Sequence, residues 1–336
     1  MIKNNRYSRQ ILLNKIQNEG QEKIAESKIT IIGCGALGTN IANNLTRCGI
    51  GQITVVDRDI IELNNLQRQN LYDEKDVGLP KASVLSEKLQ NINSEIRINS
   101  IVDDINNKNI EKIIKKTKIV LDGTDNMLTR FLINDACVKN DIPWIYGGAI
   151  ETEGMTMNII PHKTPCLRCL IENIPKPGSL PTCDTIGVLN TIPNVIANIQ
   201  STEAIKIILN KEINNGLIVY NIWSHDFNNY KIKIRENCKC CGKHNFEYLK
   251  KEKKEEIISI CGSGAIQITP ENKMSISFED LLFRLKKVGK VDIHPMVLRV
   301  KINDFEINIF RDGRSIIIGT NDKKMAKSLY AKYIGL

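Results

Sequence analysis

Residues 33–38 have the sequence Gly33-Cys34-Gly35-Ala36-Leu37-Gly38, which follows an apolar run at residues 29–32. Asp57 ends the next apolar run, at residues 53–56. This order of strand, GxGxxG turn, helix, strand and acid predicts a nucleotide site. The glycines let the backbone approach phosphate, the helix N-terminus faces the negative charge, and the acid binds the ribose hydroxyls. The predicted contacts come from Gly33, Gly35, Ala36, Leu37, Gly38 and Asp57.

Strands and helices alternate from residue 28 to about residue 150. Apolar runs predict strands at residues 28–32, 53–56, 95–101, 119–122 and 143–146. Helical patterns separate them, so we expect a Rossmann-like, doubly wound, mostly parallel α/β sheet covered by helices. Beyond a Pro- and Gly-rich loop at residues 172–185, residues 193–209 predict a long helix and residues 217–234 predict two strands.

A charged run, KKEKKEE at residues 250–256, marks the best domain boundary in the chain. We expect an ATP-binding domain at residues 1–249, a linker at residues 250–256 and a small α+β domain at residues 257–336. In the last of these, Ser277 and Asp280 predict a helix start. Strands near residues 297–302, 305–310 and 315–318 follow, with a terminal helix at 322–334. The sequence assigns this domain no role.

The composition is that of a globular protein of 336 residues, with a net charge of +9 and ten cysteines. This charge suits anionic ligands such as ATP or an acidic protein partner, and also fits a Lys-rich composition, so nucleic acid is not predicted as a partner. No apolar run approaches the ~20 residues that span a bilayer. The N-terminus lacks a signal-peptide core. We therefore expect a cytoplasmic protein in which the cysteines serve metal or thiol chemistry.

Two CxxC motifs predict a structural zinc site. Cys166 and Cys169 form one, and Cys238 and Cys241 form the other. Four thiolates close a tetrahedral site and leave no position for water, so the metal would staple two distant segments together. A redox CxxC pair explains only one of the motifs. Cys240 and His244 are alternative ligands.

Three polar clusters follow predicted strand ends, where an open parallel sheet binds ligands. The first contains Asp57-Arg58-Asp59 and the run from Asn64 to Gln69, and the second places Lys81 at a helix start after Pro80. The third contains Asp122 and Asp125, two acids suited to Mg²⁺ beside a phosphate site. Each cluster has a simpler interpretation, such as turn residues, a solvated lysine or a helix cap. Together they favour a phosphate site.

The motifs occur in a distinctive order between residues 6 and 245. They are RYSRQ at 6–10, GCGALG at 33–38, VD at 56–57, NLQRQ at 65–69, VGLPK at 77–81, DGTDN at 122–126 and the two CxxC motifs. This set resembles the ThiF/MoeB/HesA family of adenylyltransferases, which are relatives of ubiquitin-activating enzymes. The resemblance implies ATP rather than NAD.

The resemblance also implies a reaction and its partners. Such enzymes use ATP and Mg²⁺ to adenylate the C-terminal Gly-Gly carboxylate of a small β-grasp sulfur-carrier protein. Sulfur transfer follows, for thiamine or molybdopterin biosynthesis. No rhodanese-like part is recognisable here, so we expect a separate sulfur donor such as a cysteine desulfurase.

Residue roles follow from the same resemblance. Asp125 is the expected Mg²⁺-linked catalytic acid, and Arg9 would reach the triphosphate of the neighbouring subunit in a homodimer. Cys183 lies where relatives carry a covalently reacting cysteine, although a structural cysteine is the alternative. The phosphate- and nucleotide-binding residues would be Arg68, Lys81, Asn65, Gln69 and Asp122.

Two other functions fit parts of the sequence. The glycine turn with Asp57 is also typical of an NAD-dependent oxidoreductase. The cysteine motifs also fit a non-catalytic, zinc-stapled scaffold that binds a β-grasp partner. Neither explains Arg68, Lys81 and Asp125 together. The sequence does not identify the carrier protein or its pathway.

Overall fold

The computed structural model describes residues 5–174, 183–250, 256–260, 264–270, 275–294 and 297–335. The chain divides into two units, Met1–Lys251 and Glu252–Leu336. Each unit is built on its own β-sheet.

The first unit contains the glycine turn and both CxxC motifs. Its strands in the described residues are β1 (Lys28–Ile32), β2 (Gln52–Val56), β3 (Arg97–Ile101), β4 (Ile119–Asp122), β5 (Trp144–Ile150), β6 (Glu153–Ile159), β7 (Leu217–Asn221) and β8 (Asp226–Tyr230). Its helices are α1 (Ser8–Ile11), α2 (Gln17–Glu26), α3 (Ala36–Cys48), α4 (Lys81–Ile92), α5 (Ile110–Ile114), α6 (Met127–Lys139), α7 (Leu167–Leu170), α8 (Cys183–Ile186), α9 (Thr191–Ile208) and α10 (Glu247–Lys250). Short 3₁₀ turns cover Asn5–Tyr7, Leu63–Asn65 and Glu74–Asp76.

The strand order of this sheet is β3-β2-β1-β4-β5-β6-β7-β8. Strands β1 to β5 pair in parallel. From β5 onward the pairs are antiparallel. The chain order reverses between β1 and β4, so the carboxyl ends of these strands open a crevice where such sheets bind ligands. The predicted Rossmann-like, mostly parallel sheet is confirmed.

Helices cover both faces of this sheet, which explains why β1 is apolar almost throughout. Ile31 belongs to one buried cluster, with Leu37 of α3 and Ile196 of α9. Ile32 belongs to a second buried cluster, with Phe131 of α6. A strand that is buried on both faces needs a continuous apolar run rather than alternation. The apolar run before the glycine turn therefore marks a central strand.

Strand β6 has no counterpart in the sequence-based prediction. Thr156 and Asn158 are buried within it, so its pattern lacks a continuous apolar run. Both have internal partners: Thr156 Oγ1 donates to Tyr146 O at 2.7 Å, and Asn158 Nδ2 donates to Asn214 O at 3.0 Å. These internal hydrogen bonds offset part of the cost of burying polar side chains, and sequence alone does not reveal such partners.

The second unit is an antiparallel sheet with helices packed on one face. Its strands are β9 (Glu256–Ile260), β10 (Ala265–Thr269), β11 (Lys290–His294), β12 (Val297–Ile302), β13 (Phe305–Phe310) and β14 (Ser315–Ile318), in the order β11-β12-β13-β14-β10-β9. Its helices are α11 (Phe278–Leu285) and α12 (Lys323–Tyr333). Leu281 and Tyr330 of these helices share a core with Ile266 and Ile307 of the strands. Ser277 Oγ accepts the amide of Asp280 at 3.3 Å, as the capping pattern predicts.

Among the helices in the described part of the chain, none combines the length and apolar character needed to cross a bilayer.

Candidate active site and metal centre

The glycine turn is pressed against the loop that follows β4. A Cβ on Gly38 would lie 1.8 Å from the carbonyl oxygen of Gly33. A Cβ on Gly33, whose φ is +93°, would lie 2.5 Å from the backbone of Gly123. No side chain fits at either position without moving backbone. These glycines therefore bring the carboxyl ends of β1 and β4 into contact and fix the floor of the crevice.

Gly35 differs from these two because a Cβ there would make only ordinary van der Waals contacts. A Cβ there would meet nothing closer than Gln69 Nε2, at 3.8 Å. Gly35 is the N-cap of α3, and no side chain caps this helix. The first amides of α3 are thus available to an anion. Gln69 is buried beside them, and its Oε1 has no hydrogen-bond partner among the described residues. An uncompensated buried amide oxygen at this position favours a bound ligand.

Asp57 joins the glycine turn to the end of β2. Its Oδ2 accepts the amide of Cys34 at 2.6 Å, and its Oδ1 accepts the amide of Asp59 at 2.7 Å. Burial, together with the charge of Asp59, raises the pKa of Asp57. Each carboxylate oxygen keeps a second lone pair, so Asp57 can organise the turn and still accept hydroxyl groups.

Two cations lie beside these acids. Lys81 is the first residue of α4 and is almost fully buried, with its Nζ 3.8 Å from Asp59 Oδ2. Burial lowers the pKa of Lys81, but Asp59, Asp57 and Asp125 outweigh it and leave the pKa raised. Arg58 pairs with Asp104 at 3.2 Å and also interacts with Asp125. The crevice therefore holds two cations that keep their charge, each paired with a carboxylate. Arg58 belongs to the first polar cluster of the sequence, although the sequence predicts no individual role for it.

Asp122 is committed to the protein interior, which corrects the expectation that it faces a ligand. It is inaccessible to solvent, and its Oδ2 pairs with Arg130 Nε at 2.9 Å. Its Oδ1 accepts both the amide (2.9 Å) and the hydroxyl (2.7 Å) of Thr124. Arg130 also donates to Gly147 O at 2.8 Å and to Thr124 O. Asp122 and Arg130 thus brace the loop of residues 122–126, hereafter the aspartate loop.

Asp125 has the opposite surroundings. It is exposed, and among the described residues no hydrogen bond to its carboxylate is found. Its negative charge contributes to the raised pKa values of Lys81, Arg58 and Arg130. The following residue, Asn126, caps α6 by accepting the amide of Leu128 at 2.8 Å. The capping role therefore belongs to Asn126 and leaves Asp125 available for a metal ion.

Asn65 and Arg68 lie on the 3₁₀ turn and the segment after it. The amide group of Asn65 is used within the turn, where Oδ1 accepts Glu62 N at 3.2 Å and Nδ2 donates to Asn64 Oδ1 at 2.8 Å. Arg68 Nη1 donates to Asn64 O at 2.9 Å. Within the described part of the chain, neither side chain forms a hydrogen bond with the glycine turn, so their roles stay predictions.

The two remaining predicted site residues are Arg9 and Cys183. Arg9 is exposed on α1, while its neighbour Tyr7 is buried and accepts Asn93 Nδ2 at 2.8 Å. Gln10 donates to Cys48 O at 3.0 Å. These anchors leave Arg9 pointing to the surface. Cys183 begins α8, but its side chain lies outside the described residues.

The four predicted cysteine ligands converge. The sulfurs of Cys166, Cys169, Cys238 and Cys241 all lie within 4.8 Å of one another. Individual Sγ–Sγ distances are 3.5 Å for Cys166–Cys238, 3.4 Å for Cys169–Cys241 and 4.0 Å for Cys166–Cys169. Zinc with four Zn–S bonds of ~2.3 Å sets neighbouring sulfurs ~3.8 Å apart. The donor set therefore fits one tetrahedral zinc ion. Cys240 and His244 do not belong to the set.

The chain matches the ThiF family model over residues 7–241. It is 37% identical to the Bacillus subtilis sulfur carrier protein ThiS adenylyltransferase over 335 residues, which cover 98% of this chain and 99% of that protein. This protein belongs to the ThiF family. The resemblance inferred from the motifs is thereby confirmed.

Other ThiF-family relatives extend the similarity. The SAMP-activating enzyme E1 of Haloferax volcanii is 33% identical over 239 residues, covering 70% of this chain and 88% of that enzyme. Among solved structures, E. coli MccB crystallised with ATP has a TM-score of 0.61 and 27% identity, covering 71% of this chain and 75% of that one. The full-length similarity is thus to an adenylyltransferase, and the shared fold includes an ATP-bound structure.

Proposed function

We propose that this ThiF-family protein uses ATP to adenylate the C-terminal Gly-Gly carboxylate of a ubiquitin-like sulfur-carrier protein, in thiamine or molybdopterin biosynthesis. The observation that carries the proposal is the juxtaposition of Lys81 and Asp125 beside the open N-terminus of α3. A dinucleotide needs only the helix amides and an acid for the ribose. A buried cation and an available carboxylate suit a triphosphate with Mg²⁺.

In this reaction a carboxylate oxygen of the carrier forms a bond to the α-phosphorus of ATP. The bond between that phosphorus and the bridging oxygen to the β-phosphate breaks, and pyrophosphate leaves. The attacking carboxylate is already ionised at neutral pH, so no general base is needed. Charge builds on the phosphates, where preorganised cations contribute most. Lys81 and Arg68 would supply this charge, and Asp57 would hold the ribose.

The donor set of the crevice fits Mg²⁺ through Asp125 but not through Asp122. Asp125 is exposed, while both oxygens of Asp122 are bonded internally. Bound Mg²⁺ neutralises developing phosphate charge and orients the leaving group. We therefore assign Asp125 as the Mg²⁺-binding residue and Asp122 as a positioning residue. Asn65, Gln69 and the residues of the glycine turn complete the proposed nucleotide site.

The cysteine cluster is proposed to bind zinc structurally. Its four sulfurs suffice for a closed tetrahedral site, which leaves no position for a substrate. Cys166 and Cys238 are 72 positions apart, so the ion would join segments on either side of α8 and α9. We assign adenylation and this zinc site to residues 1–249 and a separate domain to residues 257–336. The linker predicted at residues 250–256 is shorter than expected, because Lys250 ends α10 and Glu256 begins β9.

Two exposed features of the first unit are assigned to a protein partner and to a second subunit. Strand β8 is at the edge of the described sheet, and Trp223, Phe227 and Tyr230 on and beside it are exposed. Exposed aromatic residues on an edge strand are typical of a docking surface, and we assign this one to the carrier. Exposed Arg9 would reach the neighbouring active site in a homodimer. Cys183 is retained as the candidate for a covalent intermediate with the carrier, and a separate sulfur donor, such as a cysteine desulfurase, completes the pathway.

The test is ATP–pyrophosphate exchange in the presence of a Gly-Gly carrier. Asp125→Asn should reduce exchange at least ~100-fold, because the bound metal ion lowers the activation barrier by several kcal/mol and this variant loses its ligand. Asp141→Asn is the matched control, since Asp141 is an exposed acid paired with His162 at 2.7 Å. Retained exchange in Asp125→Asn removes Asp125 from the mechanism. Tight binding of NADH, with no response to ATP, would instead favour an oxidoreductase. Carrier binding without exchange for any carrier would favour a scaffold.

A further inference from the structure

Two polar residues lie within the buried surface of α6, the helix that runs from the aspartate loop to the cysteine cluster. Asn134 and Asp135 are both inaccessible to solvent. Leaving a buried polar group without a partner costs about 1–3 kcal/mol. The hydrogen bonds of Asn134 therefore indicate what this amide does in the fold.

Asn134 contacts both cysteine motifs with one side chain. Its Oδ1 accepts the amide of Leu167 at 2.8 Å, and its Nδ2 donates to Cys240 Sγ at 3.1 Å. Leu167 lies between Cys166 and Cys169, and Cys240 lies between Cys238 and Cys241. Helix α6 is thus a third element of the metal centre, although it contributes no sulfur.

The orientation of this amide is determined by its partners. The backbone N–H of Leu167 can only donate, so the atom of Asn134 that faces it must be the oxygen. The NH₂ group consequently faces Cys240.

The second cysteine motif contains more sulfur atoms than the metal requires. Cys240 is fully buried and adjacent in sequence to Cys241, yet it does not belong to the four-sulfur cluster. A third thiol in one short segment offers alternative ligand pairs to a zinc ion. The hydrogen bond from Asn134 draws the Cys240 sulfur towards α6, where Asp135 also interacts with it, while Cys238 and Cys241 belong to the four-sulfur cluster.

We propose that Asn134 is a positioning residue of the zinc centre, which joins the two cysteine motifs and holds Cys240 out of the ligand set. This inference rests on the proposal that the four cysteines bind zinc. It also means that bound zinc holds α6 in place, and α6 carries the Arg130 that braces the aspartate loop.

Zinc affinity, measured by competition with a chelator on the full chain, tests the inference without using activity. Asn134→Ala should weaken zinc binding about 10–100-fold, which is typical for loss of an outer-shell partner. Asn140→Ala is the matched control: Asn140 is an exposed asparagine at the end of the same helix, bonded to Glu111 at 3.0 Å. Zinc affinity equal in the two variants overturns the inference.

Cobalt substitution tests the ligand set separately. The absorption of the Co²⁺ protein should report four thiolates in the wild type and in Cys240→Ala, a variant that keeps the bond between Asn134 and Leu167. In Asn134→Ala the spectrum should change as Cys240 competes for the metal, and Asn134→Ala/Cys240→Ala should restore it. Loss of one thiolate in Cys240→Ala overturns the inference, even if Asn134→Ala fails to fold. Absence of zinc and cobalt binding by the wild type refutes the zinc proposal as well.

Discussion

Replacing Arg130 with methionine should strongly destabilise the first unit. Arg130 is almost fully buried and pairs with the inaccessible Asp122 at 2.9 Å. It also satisfies the carbonyls of Thr124 and Gly147. Methionine has similar length and leaves the Asp122 carboxylate without its cation.

The expected loss in the free energy of unfolding is about 3–5 kcal/mol, the usual cost of leaving a buried charge uncompensated. The double variant Arg130→Met/Asp122→Leu should recover much of this loss, because apolar replacement of a whole buried pair is often nearly neutral. Urea unfolding monitored by tryptophan fluorescence measures each variant, since Trp144 is fully buried in β5, one strand from Asp122.

A matched control separates this effect from loss of surface charge. Arg47→Met removes an exposed arginine whose Nε donates to Asn43 at 2.8 Å, and it should change stability by no more than ~0.5 kcal/mol. If Arg130→Met unfolds with the same midpoint and slope as Arg47→Met, the buried pair does not brace the aspartate loop.

Three further outcomes follow from the same geometry. Gly38→Ala should lower the Tm sharply in a thermal scan because its Cβ would lie 1.8 Å from Gly33 O, whereas Gly35→Ala, with its nearest atom at 3.8 Å, should keep the Tm and raise the KM for ATP. Lys81→Met should slow pyrophosphate exchange about 10²–10³-fold, and Lys81→Arg should retain part of the rate; equal rates in both would exclude a role for the charge. Burial raises the pKa of Asp135 to about 6, so the folded state holds its proton more tightly and this group's contribution to stability falls as pH rises from about 4 to 6. Urea unfolding gives the difference in the free energy of unfolding between Asp135→Asn and the wild type. This difference should favour the variant more at pH 7 than at pH 5, and equal differences at the two pH values would contradict the assignment.

The parallel part of the fold could be predicted from sequence because its strands are buried on both faces. Apolar runs mark β1, β2 and β4 within a residue of their observed ends. Strand β6 could not be predicted in this way, because the polar residues Thr156 and Asn158 are buried in it and form internal hydrogen bonds. Strand β9 begins at Glu256, the last residue of the charged run, where composition favours a linker over a strand. The pattern of apolar residues along a segment indicates which residues are buried, but it does not show the hydrogen-bond partners that allow a polar residue to be buried.

The site shows a similar limit. The order of motifs brings the glycine turn, Lys81 and Asp125 to one sheet edge, since carboxyl ends of parallel strands meet there. Sequence spacing does not tell which of Asp122 and Asp125 faces a ligand, because that depends on Arg130, eight positions beyond Asp122. Likewise, the choice between Cys240 and Cys241 depends on Asn134, a helix residue far from both in sequence. An arginine one turn into the helix after the DGTDN motif is the signal that could have identified Arg130.

The central claim is that this ThiF-family protein forms an acyl adenylate on a carrier protein. Intact mass spectrometry of a Gly-Gly carrier, incubated with this protein, ATP and Mg²⁺, tests that claim most directly. The account predicts a carrier whose mass increases by one adenylyl group, with release of one pyrophosphate per carrier, and no adduct when the terminal glycine is removed. The opposite result would contradict the account: a protein preparation that binds ATP leaves every Gly-Gly carrier unmodified and does not consume ATP.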